Sequence, residues 1–405
     1  MKKLLSVAVC LAAVGGMFAQ KAAVEQAKKL SGKADKLTEA RSYINDAMQN
    51  PETQNDPQTY FIAGKIEWDA FDNGQTIKMI NPDDPSANGV VLGDELLAGY
   101  GYFLKALPLD SLPNEKGQVK PKYAKDIVNK ISGHYNDFFG AGADYFNAKN
   151  YPKAYEAFMI FGDLPETGLL NKSVIVDPAQ VSTAYFNAGL SAYSGNLVDE
   201  SAEAFRKARL AGYEQPECYI YEIACWQNIA QTDEARQAES QQHIMEVAKA
   251  GYEKFGVEQP VFVNNLINNY VIEGNFDGAL AELDPIIAAN PENPGLYGLR
   301  GFVYDRKGDD AASEADYRKA ASLPDVDFET LKNVSKKLFR VGTTKLNEVE
   351  GSSPEANAAR QEIKTNYFDA ARQYAEQAGT MNPNDDDLLN IIESLDYAIT
   401  TYFNN

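Results

Sequence analysis

Apolar residues along much of the chain recur three, four and seven positions apart, the spacing that gathers side chains on one face of a helix. In Val263-x-x-Leu266-Ile267-x-x-Tyr270 the pattern is complete. Gly274-Asn275 then interrupts it, because glycine adopts the left-handed backbone needed just past a helix end and asparagine tolerates it nearly as well. A second helix is predicted from Asp277, with Ala279, Leu283 and Ile286 on its inner face and Pro291 closing it. The same features return at a fixed interval of 34 residues: Tyr270 as Tyr304, Gly274 as Gly308, Ala281 as Ala315, and Ile286 as Ala320. Further up the chain Tyr185 recurs as Tyr219 at that interval. A helix-turn-helix unit at this period predicts a helical solenoid, in which each unit buries its apolar face only against its neighbours.

Placed in this register, the chain divides into about eight units, over residues 20–57, 58–112, 131–166, 179–214, 215–257, 260–292, 294–325 and 326–383. The second unit carries an inserted loop at 72–93, rich in Gly, Asn, Asp and Pro, whose acidic tip Asn81-Pro82-Asp83-Asp84-Pro85 lacks the alternating ligands of a calcium loop. A second irregular segment, Pro108 to Lys125, holds the one basic island, Lys116, Lys120, Lys122 and Lys125; it is either a solvated face or a contact for an anionic partner. Residues 385–403 read as a single helix with Leu389, Ile392, Leu395 and Ile399 on one face, suited to capping the last unit. Asp385-Asp386-Asp387 opens that helix, where negative charge favours the N-terminus, so capping is expected rather than metal binding.

The first 19 residues break the pattern. Lys2 and Lys3 precede an apolar run from Leu4 to Phe18, and Ala19 ends it, which reads as a signal peptide removed near Gln20. Export follows, to the periplasm in the first instance, with secretion or outer-membrane association as alternatives. Val9 stands before Cys10 where a lipoprotein signal needs a small residue, so lipidation is not expected. Elsewhere no run is long enough to cross a bilayer.

With 38 basic against 58 acidic residues the net charge is −20, which repels phosphate backbones and excludes nucleic acid as a partner class. Cys218 and Cys225, seven apart on one helix, would lie about 10 Å from each other, too far for a disulfide. Both read as small buried residues. Catalytic patterns are thin: His134 and His243 stand alone on helical stretches, no serine or cysteine sits in a nucleophile context, and no phosphate-cradling glycine loop or zinc-type cluster occurs. No enzymatic activity, cofactor or metal is expected.

The unit resembles the tetratricopeptide repeat, whose first helix carries an aromatic, a small residue and Tyr, and whose second carries Ala, a bulky apolar residue, Ala and Pro. Tyr297, Gly301, Tyr304, Tyr317 and Ala320 follow that pattern, with Ser313 where Ala is usual. The resemblance implies an all-α, right-handed superhelical solenoid that binds proteins or peptides as a scaffold or adaptor. It also implies that first helices line a concave groove. In register, the inward pairs are Phe61 and Trp68, Phe139 and Phe146, and Phe186 and Tyr193, followed by Ile220 and Gln227, Asn264 and Val271, and Gly298 and Asp305. The groove is thus expected to be aromatic in its first half and polar in its second, unless the rings are packed within the superhelix. Stacked rings would equally suit a glycan or other small ligand. Asn264, Asn268 and Arg300 are reminiscent of the clamp that binds a peptide C-terminal carboxylate, although the lysines usual in that clamp are absent.

Overall fold

The computed structural model describes residues 21–81, 92–114 and 116–403, and the chain forms two compact units, Met1–Gln237 and Ala238–Asn405. Among the described residues all regular structure is helical. In the first unit α1 (residues 21–30) and α2 (Leu37–Gln49) form a small cluster in which Val24, Ala27, Ala40 and Ile44 meet Ile62 and Ile66 of α3 (Pro57–Ile80). Next come α4 (Gly93–Asp110), α5 (Ala124–Gly133), α6 (Tyr135–Asn147), α7 (Tyr151–Asp163), α8 (Pro178–Ser194), α9 (Val198–Leu210) and α10 (Pro216–Thr232). Helices α3 and α4, α6 and α7, and α8 and α9 pack as antiparallel hairpins.

One contact recurs inside the hairpins, and it explains the small residues of the pattern. Gly142 of α6 lies against the ring of Phe158 on α7, and Gly189 of α8 against Phe205 on α9; a Cβ at either would come within 2.7 and 2.6 Å of those rings. Each pair is separated by 16 residues, and the second unit repeats the spacing with Gly301 and Tyr317. A flat ring on one helix can reach the backbone of the other only where no side chain intervenes.

Between hairpins a second motif repeats. Asp94 accepts from the Tyr145 hydroxyl and from Lys153 Nζ (2.6 Å), and Asp163 accepts from the Tyr185 hydroxyl (2.7 Å) and from Lys207 Nζ (2.8 Å). Each lysine also lies over the face of the tyrosine it shares. In both cases the aspartate follows a glycine, Gly93 or Gly162, that makes room for the tyrosine ring. The two clasps tie α4 to α6 and α7 to α8.

The second unit holds α11 (Gln237–Phe255), α12 (Pro260–Ile272), α13 (Phe276–Ala289), α14 (Pro294–Lys307), α15 (Asp310–Ser322), α16 (Phe328–Asn347), α17 (Pro354–Ile363), α18 (Ala370–Met381) and α19 (Asp386–Phe403), with a π turn at Lys364–Asp369 joining α17 to α18. Gly274 and Gly308 take the left-handed backbone, at φ +72° and +86°, just where their helices stop. Helix α19 buries Leu388, Ile391, Leu395 and Ile399 against α16 and α18, so the expected stripe is shifted by one position at its start, with Leu389 exposed and Ile392 half-buried; Asp385 accepts the Leu388 amide (2.8 Å), a capping bond at the acidic run.

Two further expectations are corrected. The loop expected from Asp72 is helix as far as Ile80, because Gly74 there is a contact rather than a break: Leu92 fills the space its missing side chain leaves. The expected acidic tip lies, from Pro82 onward, outside the described residues. Secondly, the segment expected to be irregular up to Lys125 and helical from Ile131 contains α5, which starts at Ala124. Its start is set by Asp110, whose buried carboxylate accepts the amides of Lys122 (2.9 Å), Tyr123 (2.7 Å) and Ala124 (2.9 Å) from the end of α4. A cap supplied from so far upstream leaves no local signature.

Candidate functional site

The six aromatic residues assigned to the first half of the groove do not form one surface. Trp68 is wholly buried: its Nε1 donates to Leu96 O (2.9 Å), its ring meets Phe103 edge-on, and Gly99 leaves the space it fills. It belongs to the core, and its expected place in the groove is corrected. Phe61, Phe139 and Phe186 are half-buried in ring contacts. Phe61 stacks on Tyr123 at 4.7 Å, Phe139 packs edge-on against Phe158 and Phe161, and Phe186 stacks on Tyr213 at 4.4 Å. Only Phe146 and Tyr193 of the set are substantially open, at 36% and 47%. Phe146 borders a small cavity of about 160 Å³ that it shares with Phe158, Asn147, Asn187 and Leu190.

A larger concavity lies in the second unit, a groove of about 940 Å³. Its floor is apolar, formed by Val263 of α12 and by Leu296, Leu299 and Phe302 of α14. Asn264 and Asn268 rise from α12, one helical turn apart, and Asn333 faces them from α16. All three are exposed, and none of their carboxamides bonds to another side chain or to the backbone among the described residues. Gly298, in register with Asn264, contributes backbone only, and Thr330 of α16 packs into the space its missing side chain leaves. The rim comes from turns: Glu258 before α12, Asn290, Pro291, Glu292 and Asn293 before α14, and Asp325 and Asp327 before α16. Asp327 and Asn293 are engaged as N-caps, Asp327 accepting the Thr330 amide (2.8 Å) and Asn293 the Leu296 amide (3.4 Å). Glu258, Glu292 and Asp325 are exposed and have no basic partner among the described residues.

Asn264 and Asn268 therefore lie together as expected, but Arg300 is not with them. Its guanidinium is held by Asp316 through Nε (2.7 Å) and Nη2 (2.8 Å), and by Asp284 through Nη1 (2.8 Å). The bond to Asp316 pushes its pKa further up. A cation satisfied by two carboxylates is not available to a third, so the expected carboxylate clamp is corrected to a structural ion pair. Val271 is buried, and Asp305 is bound by Lys337 (2.7 Å) and Arg340. The rim carboxylates and Asn333 escaped sequence reasoning because they sit in turns or off the seven-residue register. The turn motif Asn290-Pro291-Glu292-Asn293-Pro294 is the signal that could have found them.

Cys218 and Cys225 are both buried on α10, Cys218 Sγ against Phe205 O (3.2 Å) and Cys225 Sγ against Ser201 Oγ (3.3 Å). Among the described residues no group of His, Cys, Asp or Glu is placed to hold a metal ion, and no helix is long and apolar enough to cross a membrane.

Hairpins of 13-residue helices, a 34-residue period and a glycine-to-ring contact at a constant offset together decide the architecture. The fold is that of a tetratricopeptide-repeat array. Among solved structures the chain is similar to a tetratricopeptide-repeat protein of Parabacteroides merdae, at 11% identity over 65% of this chain and 99% of that one, with a TM-score of 0.36. It is also similar to a repeat protein of Bacteroides fragilis, at 17% identity over 65% of this chain and 99% of that one, TM-score 0.32. A third likeness is to yeast Tom70, at 14% identity over 95% of this chain and 97% of that one, TM-score 0.27. No protein-family model and no curated protein matches the chain. Likenesses this weak say nothing of a partner.

Proposed function

We propose that the chain is a non-catalytic binding protein, a scaffold or adaptor that takes an extended segment of a partner protein into the groove of its second unit. The observation that carries this reading is the set of exposed, uncommitted carboxamides of Asn264, Asn268 and Asn333 above an apolar floor. A carboxamide both donates and accepts, which matches the alternating N–H and C=O of an extended main chain, while the floor takes an apolar side chain. Replacing Asn264 and Asn268 by Ala should weaken capture of a bound peptide by roughly tenfold, the loss of two hydrogen bonds, with the melting temperature unchanged. The measurement is titration of full-length protein against a peptide recovered from a display library. Unchanged affinity in the double variant would overturn the reading.

The cell envelope is the proposed location, supported by Lys2, Lys3 and the apolar run that follows them. Mass spectrometry of the native protein should find a chain beginning near Gln20. An intact Met1, or a lipid on Cys10, would sink the idea.

A second reading concerns the first unit. The cavity bordered by Phe146 pairs one open aromatic ring with the carboxamides of Asn147 and Asn187, a combination suited to one sugar ring. Protection of Phe146 by soluble oligosaccharides, seen as loss of ligand-induced stabilisation in the Phe146→Ala variant, would favour it over the peptide groove.

A further inference from the structure

The groove of the second unit has a definite charge, and its sign selects among peptides. Its lining contains five carboxylates, Glu258, Glu292, Asp325, Asp327 and Glu329, and neither lysine nor arginine. Of these, Glu329 is offset by Lys332 (3.0 Å) and Asp327 is engaged as a cap. Glu258, Glu292 and Asp325 stand on three successive turns, before α12, α14 and α16, so that uncompensated negative charge borders the groove along its length. Low-dielectric walls focus such a field into the cleft. Beside the groove, the Arg300 guanidinium is consumed by Asp316 and Asp284, and the Lys332 ammonium is shared between Glu329 and Asp385.

We infer that the segment bound in this groove is cationic: an extended peptide bearing lysine or arginine on either side of an apolar residue, held by the Asn carboxamides along its main chain and by Glu258, Glu292 and Asp325 at its charged side chains. This rests on the reading of the groove as a peptide site and adds the chemistry of the occupant. An acidic segment, or a peptide offering only its C-terminal carboxylate, meets repulsion at every turn of the rim and finds no cation inside. The long stems of lysine and arginine also suit the site, since they can lie along Leu299 and Phe302 while their heads reach the rim.

The experiment uses the full-length chain and three labelled peptides of equal length: one with Lys and Arg around a central Leu, one with Gln in place of the cations, and one with Glu. Binding is followed by fluorescence anisotropy at about 50 mM and about 300 mM salt, which shortens the screening length about 2.5-fold. The basic peptide should bind at least about tenfold more tightly than the neutral one at low salt and lose most of that margin at high salt. The combined variant Glu258→Gln, Glu292→Gln, Asp325→Asn should erase the margin and leave the neutral peptide unaffected. Because the whole chain is anionic, a control variant removes three exposed carboxylates of the first unit, Asp35→Asn, Asp46→Asn and Glu52→Gln, and should change nothing. Equal binding of basic and neutral peptides, preference for the acidic one, or a margin that survives the groove variant or falls in the control, each overturns the inference while leaving the peptide groove standing. Failure of all three peptides to bind, with the display-library peptide still captured in an Asn264- and Asn268-dependent manner, also overturns it. Loss of that capture as well overturns the groove itself.

Discussion

Trp68 and Phe146 occupy equivalent spacings on neighbouring hairpins, yet one is core and the other is surface. Seven-residue spacing fixes a helix face, not what lies over it. What decides the matter for Trp68 is Gly99, whose missing side chain opens a slot on α4 and so turns an inward-facing ring into a packing element. Replacing Trp68 by Ala should therefore cost about 3–5 kcal/mol, since it leaves a large cavity and removes the indole bond to the Leu96 carbonyl. Phe146→Ala should stay within about 1 kcal/mol. Urea unfolding of both variants checks the pair, and equal losses would contradict the assignment. A similar limit hid the role of Arg300: nothing in its local sequence shows that Asp284 and Asp316, each 16 residues away, close on it from two helices.

At the scale of helices, the hairpins were legible because the apolar period, the breakers Gly274 and Gly308 and the small inner residues all agree. The end of α3 and the start of α5 were not, because each depends on a residue distant in sequence, Leu92 in one case and Asp110 in the other. The glycine-to-ring contact gives a sharp test. Gly189→Ala would place a methyl group 2.6 Å from Phe205 and should cost about 1–3 kcal/mol through overpacking, although alanine is the better helix former. A neutral or stabilised variant, read by thermal melting, would mean that the hairpin can open without penalty.

The tyrosine clasps carry a pH dependence of known sign. Burial and the bonds to Asp94 and Asp163 push the hydroxyls of Tyr145 and Tyr185 well above the ordinary value of 10.0. For an acid raised on folding, the stabilisation is complete below the unfolded value and is lost as pH climbs towards the folded one. Stability should thus decline above about pH 10, and phenolate absorbance should show these two tyrosines ionising only as the helices separate. On the acid side, the bonds from Lys153 and Tyr145 hold Asp94 below its usual 3.8, so its contribution is present above that value and fades as pH falls beneath it. Tyr145→Phe and Tyr185→Phe should flatten the alkaline limb and leave the acidic limb set by other carboxylates.

For the whole molecule, each unit contains apolar clusters built from its own residues. The first centres on residues from Trp68 to Ala204 and the second on two clusters, one spanning Val263 to Val303 and one spanning Tyr317 to Ile399. Fragments 20–237 and 238–405 should each retain helical circular dichroism when expressed alone, as nearest-neighbour stabilisation in repeat arrays allows. Removing α19 should instead expose the stripe that Leu388, Ile391, Leu395 and Ile399 share with α16 and α18, and the shortened protein should aggregate. A soluble truncation melting like the parent would remove the capping role.

The two thiols of α10 give the chain a clock. Burial pushes Cys225 up to about 11, and Cys218 has no exposed surface, so a modifying reagent in neutral solution meets neither a thiolate nor an accessible sulfur. Alkylation can then proceed only through excursions in which α10 lifts from Phe205 and Ser201, and its rate counts those excursions directly. Run at increasing denaturant, the reaction would separate fraying of this one repeat from global unfolding, with no probe added to the molecule.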